Sequence, residues 1–120
     1  MASPEDLRRI ALSFPGVEEG IGKQLGYGVK VKGKSKGIAW EWMERVIPKK
    51  PRQPNPGVYA IKTPNLLVKE ARRQEAAGTD KFVEDPHYNG FPALLVRLDL
   101  VSEEELRELF EEGYHSLVPA

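Results

Sequence analysis

The seven residues Pro86-His87-Tyr88-Asn89-Gly90-Phe91-Pro92 restrict the fold of this chain more than any other stretch. Two prolines, a glycine and an asparagine sit beside two aromatic rings and one of the chain's two histidines. Asn89-Gly90 tolerates positive φ, and the residue before Pro92 is driven to extended backbone. The apolar run Ala93-Leu94-Leu95-Val96-Arg97-Leu98-Asp99-Leu100 follows at once. Apolar residues bounded by turn chemistry read as a buried strand. Such a strand needs partners, so the remainder of the chain has to supply a sheet.

The remainder does so. Ser3 to Phe14 reads as a helix. Ser3 is its N-cap, Pro4 takes the first helical position, Asp6 completes a weak capping box, and Leu7, Ile10, Ala11 and Phe14 form one apolar face. Gly28 to Gly33 alternates Val29 and Val31 with Lys30 and Lys32, the pattern of a half-buried strand. Lys34 to Gly37 reads as the turn of a hairpin. Its second strand carries Ile38, Trp40 and Trp42 on one face, with Ala39, Glu41 and Met43 on the other. Pro48 to Gly57, with four prolines, reads as a long exposed loop that avoids ladder pairing. Val58 to Thr63 is a third strand, apolar apart from Lys62. Leu66 to Ala77 is expected as a helix with Leu67 and Ala71 inward and Gly78 after its end. Lys81 to Glu84 is a short strand. Ser102, with Glu105 three residues on, starts a last helix whose stripe is Leu106, Leu109, Phe110 and Tyr114, and Gly113 is expected to loosen its final turns.

The order is α-β-β-β-α-β-β-α. It predicts an α+β fold of two layers, a single antiparallel sheet with helices on one face, in one domain over residues 1–120. The 40% hydrophobic and 30% charged residues match a globular protein. No apolar run reaches membrane-spanning length, and the first residues lack the basic start and apolar core of a signal peptide. Cysteine is absent, so disulfides, a thiol nucleophile and thiolate metal sites are excluded. The cytoplasm is the expected location, with the protein a monomer or weak dimer.

Catalytic patterns are missing. No Gly-x-Ser-x-Gly, complete phosphate loop or metal-ligand spacing is present, and His87, His115, Asp85 and Asp99 form no ligand pair at helix or strand spacing. No catalytic residue, metal or cofactor is therefore assigned.

Charge is the stronger signal. The net charge is zero, yet Lys23 to Arg52 holds nine basic residues against two acidic ones, and Asp99 to Glu112 holds seven acidic against one basic. Lys30, Lys32, Lys34 and Lys36 could place ammonium groups along and at the tip of a hairpin. Lys49, Lys50 and Arg52 could make a second basic finger. Both suit phosphate contacts without base specificity. A solvated strand face that discourages edge pairing explains the same lysines. Trp40 and Trp42 read as core rings or as a stacking platform. His87, Tyr88 and Asn89 read as a tight turn or as a cleft rim, with Arg97 either pairing with Asp99 or clamping an anion.

Four blocks carry a family resemblance: Leu12-Ser13-Phe14-Pro15-Gly16-Val17-Glu18-Glu19-Gly20, Val29-Lys30-Val31-Lys32-Gly33-Lys34, Asp85 to Asp99, and Glu105-Leu106-Arg107-Glu108-Leu109. Together they resemble the MmcQ/YjbR-like family of small bacterial proteins. The resemblance implies an α+β two-layer fold related to secretion chaperones. It also implies DNA binding through wing-like hairpins, and it brings no catalytic residues. The basic, proline-rich stretch from Arg45 to Pro56 is longer than the short turn usual in that family. The expected partner is therefore double-stranded DNA, met by Lys30, Lys32, Lys34, Lys36, Lys49, Lys50 and Arg52. The alternative is a small-ligand- or protein-binding module with a cleft around His87, Tyr88, Asn89, Arg97, Trp40 and Trp42.

Overall fold

The computed structural model describes residues 1–20, 26–44 and 53–118, with backbone alone for 43–44 and 53–56. Its elements are α1 (Pro4–Leu12), β1 (Glu18–Glu19), β2 (Gly26–Val31), β3 (Lys34–Glu44), β4 (Gln53–Lys62), α2 (Leu66–Glu75), β5 (Phe82–Val83), β6 (Ala93–Arg97) and α3 (Glu103–Leu117). Among the described residues, six strands form one sheet in the order β1-β2-β3-β4-β6-β5, antiparallel throughout. This is the α+β class and the succession read from the sequence, with the two-residue β1 added. Among the described residues no helix is long and apolar enough to cross a membrane.

Two capped helices cover the inner face of the sheet. Ser3 and Asp6 form a reciprocal capping box at the start of α1: Ser3 N donates to Asp6 Oδ2 (3.0 Å) and Asp6 N donates to Ser3 Oγ (3.2 Å). Ser102 Oγ accepts from Glu105 N (3.1 Å) at the start of α3. The two helices bury Leu7, Ile10 and Ala11, and Leu106, Leu109, Phe110 and Tyr114. These meet Tyr27, Val29, Ile38, Tyr59, Ile61, Leu94 and Val96 from the sheet. Burying each large apolar side chain is worth roughly 1.5–3 kcal/mol, which makes this cluster the main stabilising unit. Tyr114 Oη donates to the Pro15 carbonyl (2.6 Å) and ties α3 to the exit of α1. Gly113 is a contact point, not a loosening: a Cβ there would stand 2.5 Å from the Lys62 carbonyl oxygen.

The hairpin turns earlier than its sequence indicates. Val31 pairs with Lys34, Lys30 with Ser35 and Val29 with Lys36, which leaves only Lys32 and Gly33 in the loop. Both have positive φ, 53° and 79°, the pattern of a type I′ turn. Lysine is an uncommon residue at positive φ, and the alternation runs on through Lys32, so no Asn-Gly signal marked the position. Lys34 to Gly37 is strand instead.

A bulge then exchanges faces. Tyr27 pairs with Ala39 and Gly28 with Gly37, so Ile38 is the extra residue. Ile38 and Ala39 both enter the inner core, while Trp40 and Trp42 pack on the opposite, outer face. The expectation of Ile38, Trp40 and Trp42 on one face fails for this reason.

Two further expectations are corrected. β4 begins at Gln53, and Gln53, Pro54 and Asn55 pair with Glu44, Met43 and Trp42. β6 pairs with β4 only from Val58 onward, so Pro54 and Pro56 lie where β4 has one neighbour and tolerates a missing N–H. Helix α2 buries no residue; Leu67 is 83% exposed and Leu66 48%. The helix stands beside the β5–β6 end of the sheet. It is tied by Arg72 to Glu112 of α3 (3.1 Å) and by Lys69 to the chain after β5.

Candidate functional site

The Pro86 to Pro92 block caps the outer face. A 3-10 turn over Pro86–Tyr88 is started by Asp85, whose Oδ1 accepts from His87 N (3.0 Å). Asp85 is buried, and its Oδ2 accepts from Trp42 Nε1 at 2.8 Å. Tyr88 Oη accepts from Trp40 Nε1 at 3.1 Å. Phe91 stands edge-on to Tyr88 (5.8 Å between centroids, 84°) and to Trp40 (6.1 Å, 83°). Beneath lie Trp42, Val58, Ala60 and Leu95, a second small core. Lys69 Nζ of α2 donates to the Tyr88 and Phe91 carbonyls (2.6 and 2.7 Å) and straps the cap down. Burial pulls the Lys69 pKa below the usual lysine value.

Three of the six expected cleft residues meet here: Trp40, Trp42 and Tyr88. Tyr88 and Asn89 also line a cleft of about 410 Å³ between α2 and the β5–β6 end, with Lys69, Arg73 and Leu94. The charges in it are satisfied: Arg73 pairs with Glu70 and Glu84, and Lys69 with the two carbonyls. His87 is exposed and outside the lining of that cleft. Arg97 lies elsewhere, at the far end of β6 opposite Val58, beside a shallow hollow with Ser3 and Asp99. Arg97 and Asp99 are both exposed, and among the described residues no ion pair joins them. The six therefore do not converge on a single cleft. Nor do three or more His, Asp or Glu side chains gather around a metal position among the described residues.

The hairpin lysines are all exposed, and so is every residue from Lys32 to Gly37. Paired residues share a sheet face, so Lys30 with Ser35 points outward, while Lys34 and Lys36 share the face of Val31 and Val29. Lys32 occupies the tip. The four cations therefore surround the end of the hairpin and do not form one row. Among the described residues none has an ion-pair partner. Several other cations are matched by carboxylates: Arg8 with Glu19 (2.9 Å), Arg9 with Glu103 (3.0 Å), Arg72 with Glu112 (3.1 Å) and Lys81 with Glu105 (2.8 Å). Lys49, Lys50 and Arg52 lie outside the described residues.

No family model matches this sequence, and no curated protein does. A solved structure does match in fold: the crystal structure of Deinococcus radiodurans protein DR2400, of domain class DUF419. The TM-score is 0.62 at 23% identity, over 94% of this chain and 76% of that one. The likeness shows the fold. That domain class is related to the MmcQ/YjbR-like family, so the neighbour and the residue blocks point the same way at the level of architecture.

Sequence reasoning passed over Phe91 and Lys69 as participants. In the sequence Phe91 reads only as the residue that Pro92 drives to extended backbone. Nothing local in the sequence shows that α2 lies against the cap, so Lys69 carries no signal of its bonds to the Tyr88 and Phe91 carbonyls.

Proposed function

We propose that this protein is a member of the MmcQ/YjbR-like family that binds double-stranded DNA through phosphate contacts made by the β2–β3 hairpin. The observation that supports this reading is the charge imbalance at the hairpin end. In a chain of zero net charge, Lys30, Lys32, Lys34 and Lys36 carry no ion pair among the described residues, while the arginines of α1 and α2 are matched by carboxylates. Unmatched ammonium groups on an exposed tip are placed to release counterions from a phosphate backbone.

Four such contacts give a slope of log affinity against log salt near −3.6, so binding should fall about 100-fold between about 50 and 200 mM salt. Fluorescence anisotropy with a labelled duplex measures this. Changing Lys32, Lys34 and Lys36 together to Glu should abolish binding at low salt while leaving the melting temperature unchanged, because all three side chains are exposed. A wild-type protein that ignores duplex DNA at low salt refutes the reading. A second reading, small-molecule binding, draws on the 410 Å³ cleft, whose size suits a ligand. A metabolite that raises the melting temperature and loses this effect in Asn89→Ala would favour it.

A further inference from the structure

The outer face of the sheet holds an aromatic corner that the hairpin reading does not use. Trp42 is 7% exposed and belongs to the small core, whereas Trp40 is only half-buried. Two glycines give Trp40 its position. A Cβ at Gly37 would stand 3.2 Å from Trp40 Cε3, and one at Gly26, directly opposite Trp40, would stand 3.0 Å from its Cβ. The indole therefore lies along β3 over Gly37, a surface that a side chain there would displace. Its Nε1 bond to Tyr88 Oη fixes the ring. Phe91 is 45% exposed and stands at 83° to the indole, a wall beside a floor. Gly90, at φ 77°, sets the backbone that presents it.

Two cations share this face. Lys30 pairs with Ser35, two residues beyond Gly37, so it lies about 7 Å further along the strands. Lys62 alternates with Val58 and Ala60 of the outer core, and Ala60 pairs with Trp40, which makes Lys62 the diagonal neighbour of the indole at about 7–8 Å. Neither lysine has an ion-pair partner among the described residues.

We infer that Trp40 and Phe91 form a stacking site for an unpaired base of single-stranded nucleic acid, with Lys30 and Lys62 taking the flanking phosphates. A flat, orientationally fixed ring with cations on either side suits a strand whose bases are open, because every base offers a π face. In a duplex those faces are stacked and out of reach. The inference rests on the hairpin reading for its phosphate attraction and adds a preference for single strands.

The test compares three probes of equal length by anisotropy and by quenching of tryptophan fluorescence: an oligothymidylate, an abasic strand and a duplex. The oligothymidylate should bind at least about fivefold more tightly than the abasic strand and quench fluorescence, since one stacked base contributes about that factor or more. Phe91→Ala should bring oligothymidylate down to the abasic level and leave duplex binding unchanged. Lys62→Ala should weaken both single strands alike. The Lys32, Lys34 and Lys36 to Glu variant should weaken all three probes. Equal affinity for oligothymidylate and abasic strand, with duplex binding intact, overturns the stacking site and leaves the hairpin reading standing. No binding to any probe overturns both.

Discussion

Gly113→Ala sets helix propensity against packing, and the structure decides which wins. Alanine in a helix interior is favoured over glycine by about 0.8–1.0 kcal/mol, so a reading of α3 alone predicts stabilisation. The tertiary contact opposes this. The new Cβ would stand 2.5 Å from the Lys62 carbonyl oxygen and 3.3 Å from Ile38 Cγ2. The carbonyl belongs to β4, a strand held on both sides by β3 and β6, so it has little freedom to retreat. Relief requires α3 to lift off the sheet by several tenths of an ångström, along the seam where Leu109, Phe110 and Tyr114 are buried. Overpacking of this kind costs about 1–3 kcal/mol and more when backbone is the obstacle. After the propensity gain, the net loss should be about 1–2 kcal/mol, a fall in melting temperature of about 4–8 °C for a chain of this length. Urea unfolding followed by circular dichroism measures it, with a lower midpoint and an unchanged m-value expected. A variant as stable as the parent, or more so, would refute the close approach of α3 to β4.

Two further predictions concern the cap and the pH response. Trp42→Phe removes the donor to the buried Asp85 carboxylate and part of a packed ring, and should cost about 3 kcal/mol, or about 10 °C in melting temperature by differential scanning fluorimetry; a shift below about 2 °C would mean that the bond contributes nothing. Glu105 is held below the usual glutamate range by the hydrogen bond from Lys81, and Asp6 below the usual aspartate range by the bonds from Arg9 and Ser3. Lowered folded values mean that the unfolded chain takes up protons first as the solution is acidified. This contribution is therefore complete above about pH 4.5 and is lost as pH falls through the folded values. Melting temperature should decline from about pH 5 to pH 3, and Glu105→Gln should remove part of the slope; stability that rises on acidification contradicts the assignment.

Interactions between residues close in the chain can be read along it, and those between distant residues arise only in the assembled fold. Caps and amphipathic faces are local, so Ser3 with Asp6 and Ser102 with Glu105 announce α1 and α3, and their apolar stripes name the inner core. The buried strand after Pro92 is equally legible, and with it the α+β sheet. The bulge at Ile38 is not local. It depends on which residue of β2 faces which residue of β3, and one extra residue sends every later side chain of β3 to the other face. That step carries Trp40 and Trp42 out of the helix-covered core and under the 86–92 block. Along the chain the block reads as a turn feeding a strand. In the fold, long-range bonds to Trp40, Trp42 and Lys69 also make it the cover of the outer face. The lysine charges were visible from the start. Their separation around the tip, and the lack of carboxylates to pair with them among the described residues, depend on pairings between residues distant in the chain, which only the assembled sheet sets.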